Sequence, residues 1–190
     1  MKIELRILLD GAWVVADGWV DRPEDLLERY LSDAHLRCCA MQGGFFIDID
    51  GKPWSDDGTV DEFWMTLGFL RAVDAIVHGV PAIDCAPGPW EESHLTLARD
   101  GDLLVMQDIH HSGAISMPRV AVDFRTFVLT LAPEAQKLCD LLAGITACAD
   151  ALAIAGDPRP QLPVVRHNAA PDAQLAAGIQ TWAKRVVGWR

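Results

Sequence analysis

The dipeptide Asp-Gly punctuates this chain at 10–11, 17–18, 50–51, 57–58 and 100–101. Between apolar runs it is the strongest short-range hairpin signal, because both central positions of its turn take φ > 0, which Gly adopts freely and Asp tolerates. Antiparallel pairing is therefore imposed early. Lys2 to Leu9 alternates, with Ile3, Leu5, Ile7 and Leu9 on one face and Lys2, Glu4 and Arg6 on the other. That pattern predicts a half-buried strand over 2–9, turned by Asp10-Gly11 into 12–16. Residues 93–98 and 103–108, turned through Asp100-Gly101, form a second hairpin. Phe45 to Ile49 is a short strand closed by Asp50-Gly51, and 114–124 is a further extended run in which Pro118 marks an edge or a bulge.

Helical segments alternate with these hairpins. Pro23, with Glu24 and Asp25 at the positive dipole end, opens an amphipathic helix over 23–37 with the stripe Leu26, Leu27, Tyr30, Leu31 and Ala34. Thr59-Val60-Asp61-Glu62 has the capping-box pattern and opens a helix to His78, stopped by Gly79 and Pro81. Apolar residues cover most of its circumference, so it is central to the core or buried by a partner. Asp123 caps a short helix over 124–131, and Pro133 starts a long one ending at Gly156. DPRPQLP, residues 157–163, reads as an extended linker before a helix over 172–187. The expected fold is α+β: a mainly antiparallel sheet holding both hairpins, packed against helices, with a C-terminal helix after a Pro-rich linker. Residues 1–156 form a single domain, and 157–190 are the linker and the helix that docks on it.

The composition is that of a folded chain: 190 residues, 51% hydrophobic and 23% charged. The net charge of -11 argues against non-specific nucleic-acid or anionic-membrane binding, which need clustered Lys and Arg. No apolar run reaches the roughly 18 residues of a membrane span, and the N-terminal residues lack a signal-peptide core. Five cysteines, at 38, 39, 85, 139 and 148, contain no C-x-x-C pair, so reduced thiols in the cytoplasm are expected.

The charge is uneven. Residues 1–110 hold 21 acidic and 8 basic side chains, and residues 111–190 hold 6 and 8. The steepest run is Asp48, Asp50, Asp56, Asp57, Asp61 and Glu62, relieved by Lys52 and centred on Trp54. Acids that cap turns and a helix and face water are the simpler account. The functional account is an acidic, aromatic-centred patch that speeds encounter with a basic partner and anchors it through a buried Trp. An EF-hand is excluded, because from Asp48 the third ligand position is Lys52, the glycine position is Pro53 and the twelfth is Thr59.

Catalytic constellations are sparse. His94 lies on the strand paired with Asp108 and His110, so these three make an expected cluster for a metal or for acid–base chemistry. No H-E-x-x-H, zinc spacing, G-x-S-x-G elbow, Walker or G-x-G-x-x-G pattern supports it, so structural histidines and no cofactor are the primary expectation. Glu91-Glu92 are adjacent and do not oppose each other across a cleft. Trp54 and Trp90, in turn-rich loops, are either lids over a core or contact anchors.

The leading expectation is a non-enzymatic cytoplasmic protein that binds and neutralises a basic protein, as toxin-immunity proteins do, by class-level analogy. Its contact residues would be Trp54, Asp56, Asp57 and Asp61, with Trp90 and Glu91. The alternatives are an enzyme or metal protein built on His94, Asp108 and His110, and an assembly subunit or homo-oligomer joined through the apolar helix 59–78.

Overall fold

The computed structural model describes residues 1–32, 41–55, 63–85, 93–110 and 115–188, with the side chains of 64, 65, 85, 93, 110, 115 and 116 outside the description. The fold is α+β, with two four-stranded antiparallel sheets rather than the single sheet expected. The first has the order β2-β1-β3-β4, from Ala12–Val15, Lys2–Leu9, Gly43–Ile49 and Lys52–Pro53. The second runs β5-β6-β7-β8, from Ala82–Cys85, Ser93–Asp100, Leu103–His110 and Ile115–Asp123. The helices are α1 (Pro23–Ser32), α2 (Phe63–Val77), α3 (Phe124–Ile154), α4 (Leu162–Asn168) and α5 (Ala173–Val187).

Turn chemistry sets the registers. Asp10 (φ 51) and Gly11 (φ 77) both sit in the left-handed region, as do Asp50 (φ 56) and Gly51 (φ 79), which is the turn that matches strand twist. The third turn differs from expectation. Asp100 pairs with Leu103, so the turn residues are Gly101 and Asp102, and only Gly101 has positive φ. That is the pattern with Gly first. Pro118 marks both an edge and a bulge: β8 ends the sheet, and Pro118 and Arg119 stand opposite Gln107 alone.

The two sheets share one core. Ile3, Leu5, Ile7 and Leu9 point inward together with Leu95, Leu97, Leu104, Met106 and Val122, and a single buried cluster runs from Ile3 to Val186. Helix α2 lies among β3, β5, β6 and α5. Phe63, Leu70, Val73, Ile76 and Val77 are almost wholly buried within the chain. Those five side chains are therefore not available to a subunit interface on that helix.

Helix α3 corrects the expected break at Pro133, being continuous over 31 residues. A proline frees the carbonyl four residues earlier, here Leu129. Pro133 and Leu129 are both exposed, so solvent can serve that carbonyl, while Phe127, Val128, Leu131, Ala135 and Leu138 lock the flanking turns into the core. Asp123 accepts from the Thr126 backbone N–H at 2.7 Å and caps the helix, as expected.

The Pro-rich segment is likewise more ordered than an extended linker. Leu162 begins α4, Pro163 fits its first turn, and Leu162 and Val165 are buried. Asp172 caps α5 through the Leu175 N–H at 2.9 Å. Trp182 is fully buried, and its indole N–H donates to Asp74 at 2.7 Å. A Cβ on Gly178, one turn earlier, would lie 2.7 Å from the same Asp74 oxygen, so Gly178 permits the approach of α5 to α2. Among the described residues, no helix is long and apolar enough to cross a membrane.

Candidate partner-binding site

Trp54 is a lid, not an exposed anchor. It is 5% exposed, and its indole N–H donates to the Pro118 carbonyl at 2.8 Å, tying the first sheet to the edge strand of the second. Its neighbour fixes this. The buried Ser55 hydroxyl accepts from the Ile47 N–H at 2.9 Å and donates to the Phe45 carbonyl at 2.6 Å. Those bonds satisfy the β3 edge where β4 has ended. Asp56, Asp57, Asp61, Trp90 and Glu91 lie outside the described residues.

The histidine cluster does not assemble as expected. Leu95 pairs with Asp108, and His94 pairs with Ile109. Directly paired residues share a face, so Asp108 joins Leu95 on the buried face and His94 stands on the solvent face. The side chain of His110 lies outside the description. Asp108 is 3% exposed, and its Oδ1 has no hydrogen-bond partner among the described residues. No group of three His, Cys, Asp or Glu able to hold a metal occurs among them. Cys139 is a free thiol, and burial pushes its pKa up to about 11, which keeps it protonated and unreactive.

A cleft of about 300 Å³ is lined by Ala153, Pro158, Arg159, Leu162 and Arg166, among others. Its cations are engaged. Arg159 forks onto Glu28 at 2.6 and 2.9 Å and onto Asp157, and Arg166 meets Asp150 at 2.6 Å. An anionic ligand would have to displace these carboxylates.

The uncompensated charge lies elsewhere. Among the described residues, Asp21, Glu24, Asp48, Asp50, Asp84, Asp100, Asp102, Asp108, Asp123 and Asp140 make no ion pair, while Glu4, Asp10, Asp17, Glu28 and Glu134 are among those that do. Five of these ten belong to the second sheet or its turn, Asp108 on the buried face and four exposed ones. Asp84 stands on β5 opposite Thr96, Asp100 ends β6, and Asp102 is in the following turn. Asp123 adds a fourth at the end of β8. The hydroxyl and backbone N–H of Thr126 hold its carboxyl below the usual range, so it stays ionised.

The solvent faces of the two sheets differ in chemistry. On the first, Lys2 and Arg6 both bind Glu4, at 2.6 and 2.7 Å, the Arg6 guanidinium lies 4.3 Å from the Phe46 ring centroid, and Trp13 packs on Phe46 at 5.3 Å. On the second, the register brings Ala82, Ala98, Val105 and Ala121 into one row across all four strands. Asp100, Leu103 and Asp123 form the next row. Sequence reasoning missed this patch, although the apolar residues on both faces of Leu103 to Ile109 were a signal for it.

No protein-family model matches the chain, and no significant match is found among curated proteins or solved structures.

Proposed function

We propose that this chain is a binding protein that docks on and neutralises a basic protein partner, the role toxin-immunity proteins fill. The observation that carries the reading is the uncompensated acid: a net charge of -11, with carboxylates at the strand ends of the second sheet that make no ion pair among the described residues. Such a field raises the association rate with a cationic surface and repels nucleic acid and anionic lipid. Asp56, Asp57, Asp61 and Glu91 belong to the same acidic portion of the chain and stay in the proposal as contacts, with Trp90. Trp54 leaves it, because exposing that indole would break its bond to Pro118 and open the core.

The His94–Asp108 separation counts against the acid–base alternative, since the two groups stand on opposite faces of the sheet, out of reach of one substrate proton. The test is capture on the immobilised chain from lysate of the source cells, eluted by a salt gradient. The retained protein is then assayed with and without stoichiometric chain. The expected result is a basic protein released by moderate salt, with its activity suppressed. A captured protein whose activity is unchanged at saturating chain contradicts the proposal.

A further inference from the structure

We infer that the solvent face of the β5–β8 sheet is the docking surface, and that the partner meets it with aliphatic side chains flanked by Lys or Arg. This rests on the reading that the chain binds a basic protein, and it names where and by what chemistry.

Three observations converge. First, the face is open among the described residues: Leu103 is 42% exposed, and Ala82, Asp84, His94, Asp100, Ala121 and Asp123 are all exposed. Helices α2 and α3 cover the opposite face, where Leu95, Leu97, Leu104 and Met106 are buried. Second, β7 is apolar on both sides. Leu104 and Met106 enter the core with Asp108, while Leu103, Val105 and Ile109 face outward, interrupted by Gln107 alone. Strands of that kind belong to sheets covered on both faces. A sheet face left to water ordinarily alternates to polar residues, as Lys2, Glu4 and Arg6 do in β1. Third, the border is acidic at the turn end, with Asp100, Asp102 and Asp123 around Leu103 and Asp84 beside the alanine row. Cations also border it: Arg99 donates to the Gly101 carbonyl at 2.9 Å, Arg125 acts on Asp123, and Arg119 is exposed at the bulge toward the other end.

The charge selects the occupant. A second copy laid face to face would set the four acids against their own copies or against the single Arg119 at the far end, and unmatched like charges across an interface are costly. A cationic protein with an aliphatic centre satisfies both parts: the small side chains of Ala82, Ala98 and Ala121 allow close approach around Val105, and the acids pair with the cationic rim.

The test uses two synthetic peptides of equal positive charge, one alternating Lys with Leu and one of Lys and Ser. Each is titrated into the isotope-labelled full chain while amide and methyl shifts are followed. The expected result is tighter binding of the Lys/Leu peptide, with shifts concentrated at Ala98, Leu103, Val105 and Ala121. Val105→Glu and the exposed-site variant Leu103→Gln should each weaken it roughly tenfold, with melting temperatures retained. Equal binding of both peptides with shifts scattered over all acids overturns the docking face but leaves the basic-partner reading standing. Failure of both peptides at low salt overturns the two together. Sedimentation showing a dimer that Val105→Glu dissolves replaces the basic occupant by a second copy and overturns the inference.

Discussion

The solvent faces of the two sheets are built on the same antiparallel frame and finished differently. The β1–β4 sheet closes its outer face with its own residues: Arg6 lies over Phe46, Trp13 packs on the same ring, and Lys2 and Arg6 neutralise Glu4. Phe46 is 8% exposed although it points away from the core. The β5–β8 sheet carries alanines, a valine and a leucine on its outer face, with acids at the border that make no ion pair. Nothing in the hairpin chemistry requires this difference, since both sheets bury their inner faces in the shared core. The difference lies on the link from packing to function: one face is complete in water and the other is suited to being covered.

The largest consequence is thermodynamic. Phe46→Ala removes a buried ring and the platform for Arg6 and Trp13, so urea denaturation should show a loss of about 3 kcal/mol. Arg6→Ala should cost about 1 kcal/mol, through lost packing on Phe46 as well as the lost bond to Glu4. A smaller effect depends on pH. Hydrogen bonds from Lys2 and then Arg6 hold the Glu4 carboxyl below the usual carboxylate range. A carboxyl with a depressed folded-state pKa stabilises above its unfolded value, and the contribution is lost as pH falls through the folded one. Glu4→Gln should therefore melt lower than wild type near neutral pH, by about 0.5 kcal/mol, and the gap should close as acid protonates Glu4 in the wild type. At the small end, Val105→Thr on the second sheet should shift stability by less than about 0.5 kcal/mol. A loss there as large as that of Phe46→Ala would mean the second face is already packed in the free chain and would end the comparison.

Much of this was legible in the sequence, and the failures have particular causes. The turns at Asp10-Gly11 and Asp50-Gly51 followed from local chemistry, because only residues tolerant of positive φ fit there. Which hairpins share a sheet had no local signal, as α2 separates β4 from β5 and either arrangement buries the same inner residues. The His94–Asp108 error was avoidable. A two-residue turn always places an even-numbered residue opposite an odd-numbered one, so His94 had to share a face with Gln107 and Ile109 whether the turn was 100–101 or 101–102. Pro133 misled because the cost of an internal proline depends on whether the freed carbonyl reaches solvent, which is a tertiary fact. Trp54 misled as well, because what seats it over the core is the Ser55 hydroxyl bonding to both Phe45 and Ile47, a contact that exists only once the strands are in register.

The most direct test of the contrast is methyl relaxation in the presence of a neutral paramagnetic co-solute, first for the free chain and then with the Lys/Leu peptide bound. The account predicts strong relaxation of the Leu103 and Ala121 methyls in the free chain and protection in the complex. Val15, 41% exposed on the first sheet, should relax equally in both states. Leu103 and Ala121 already shielded in the free chain, or Val15 shielded as much as they are on binding, would contradict it.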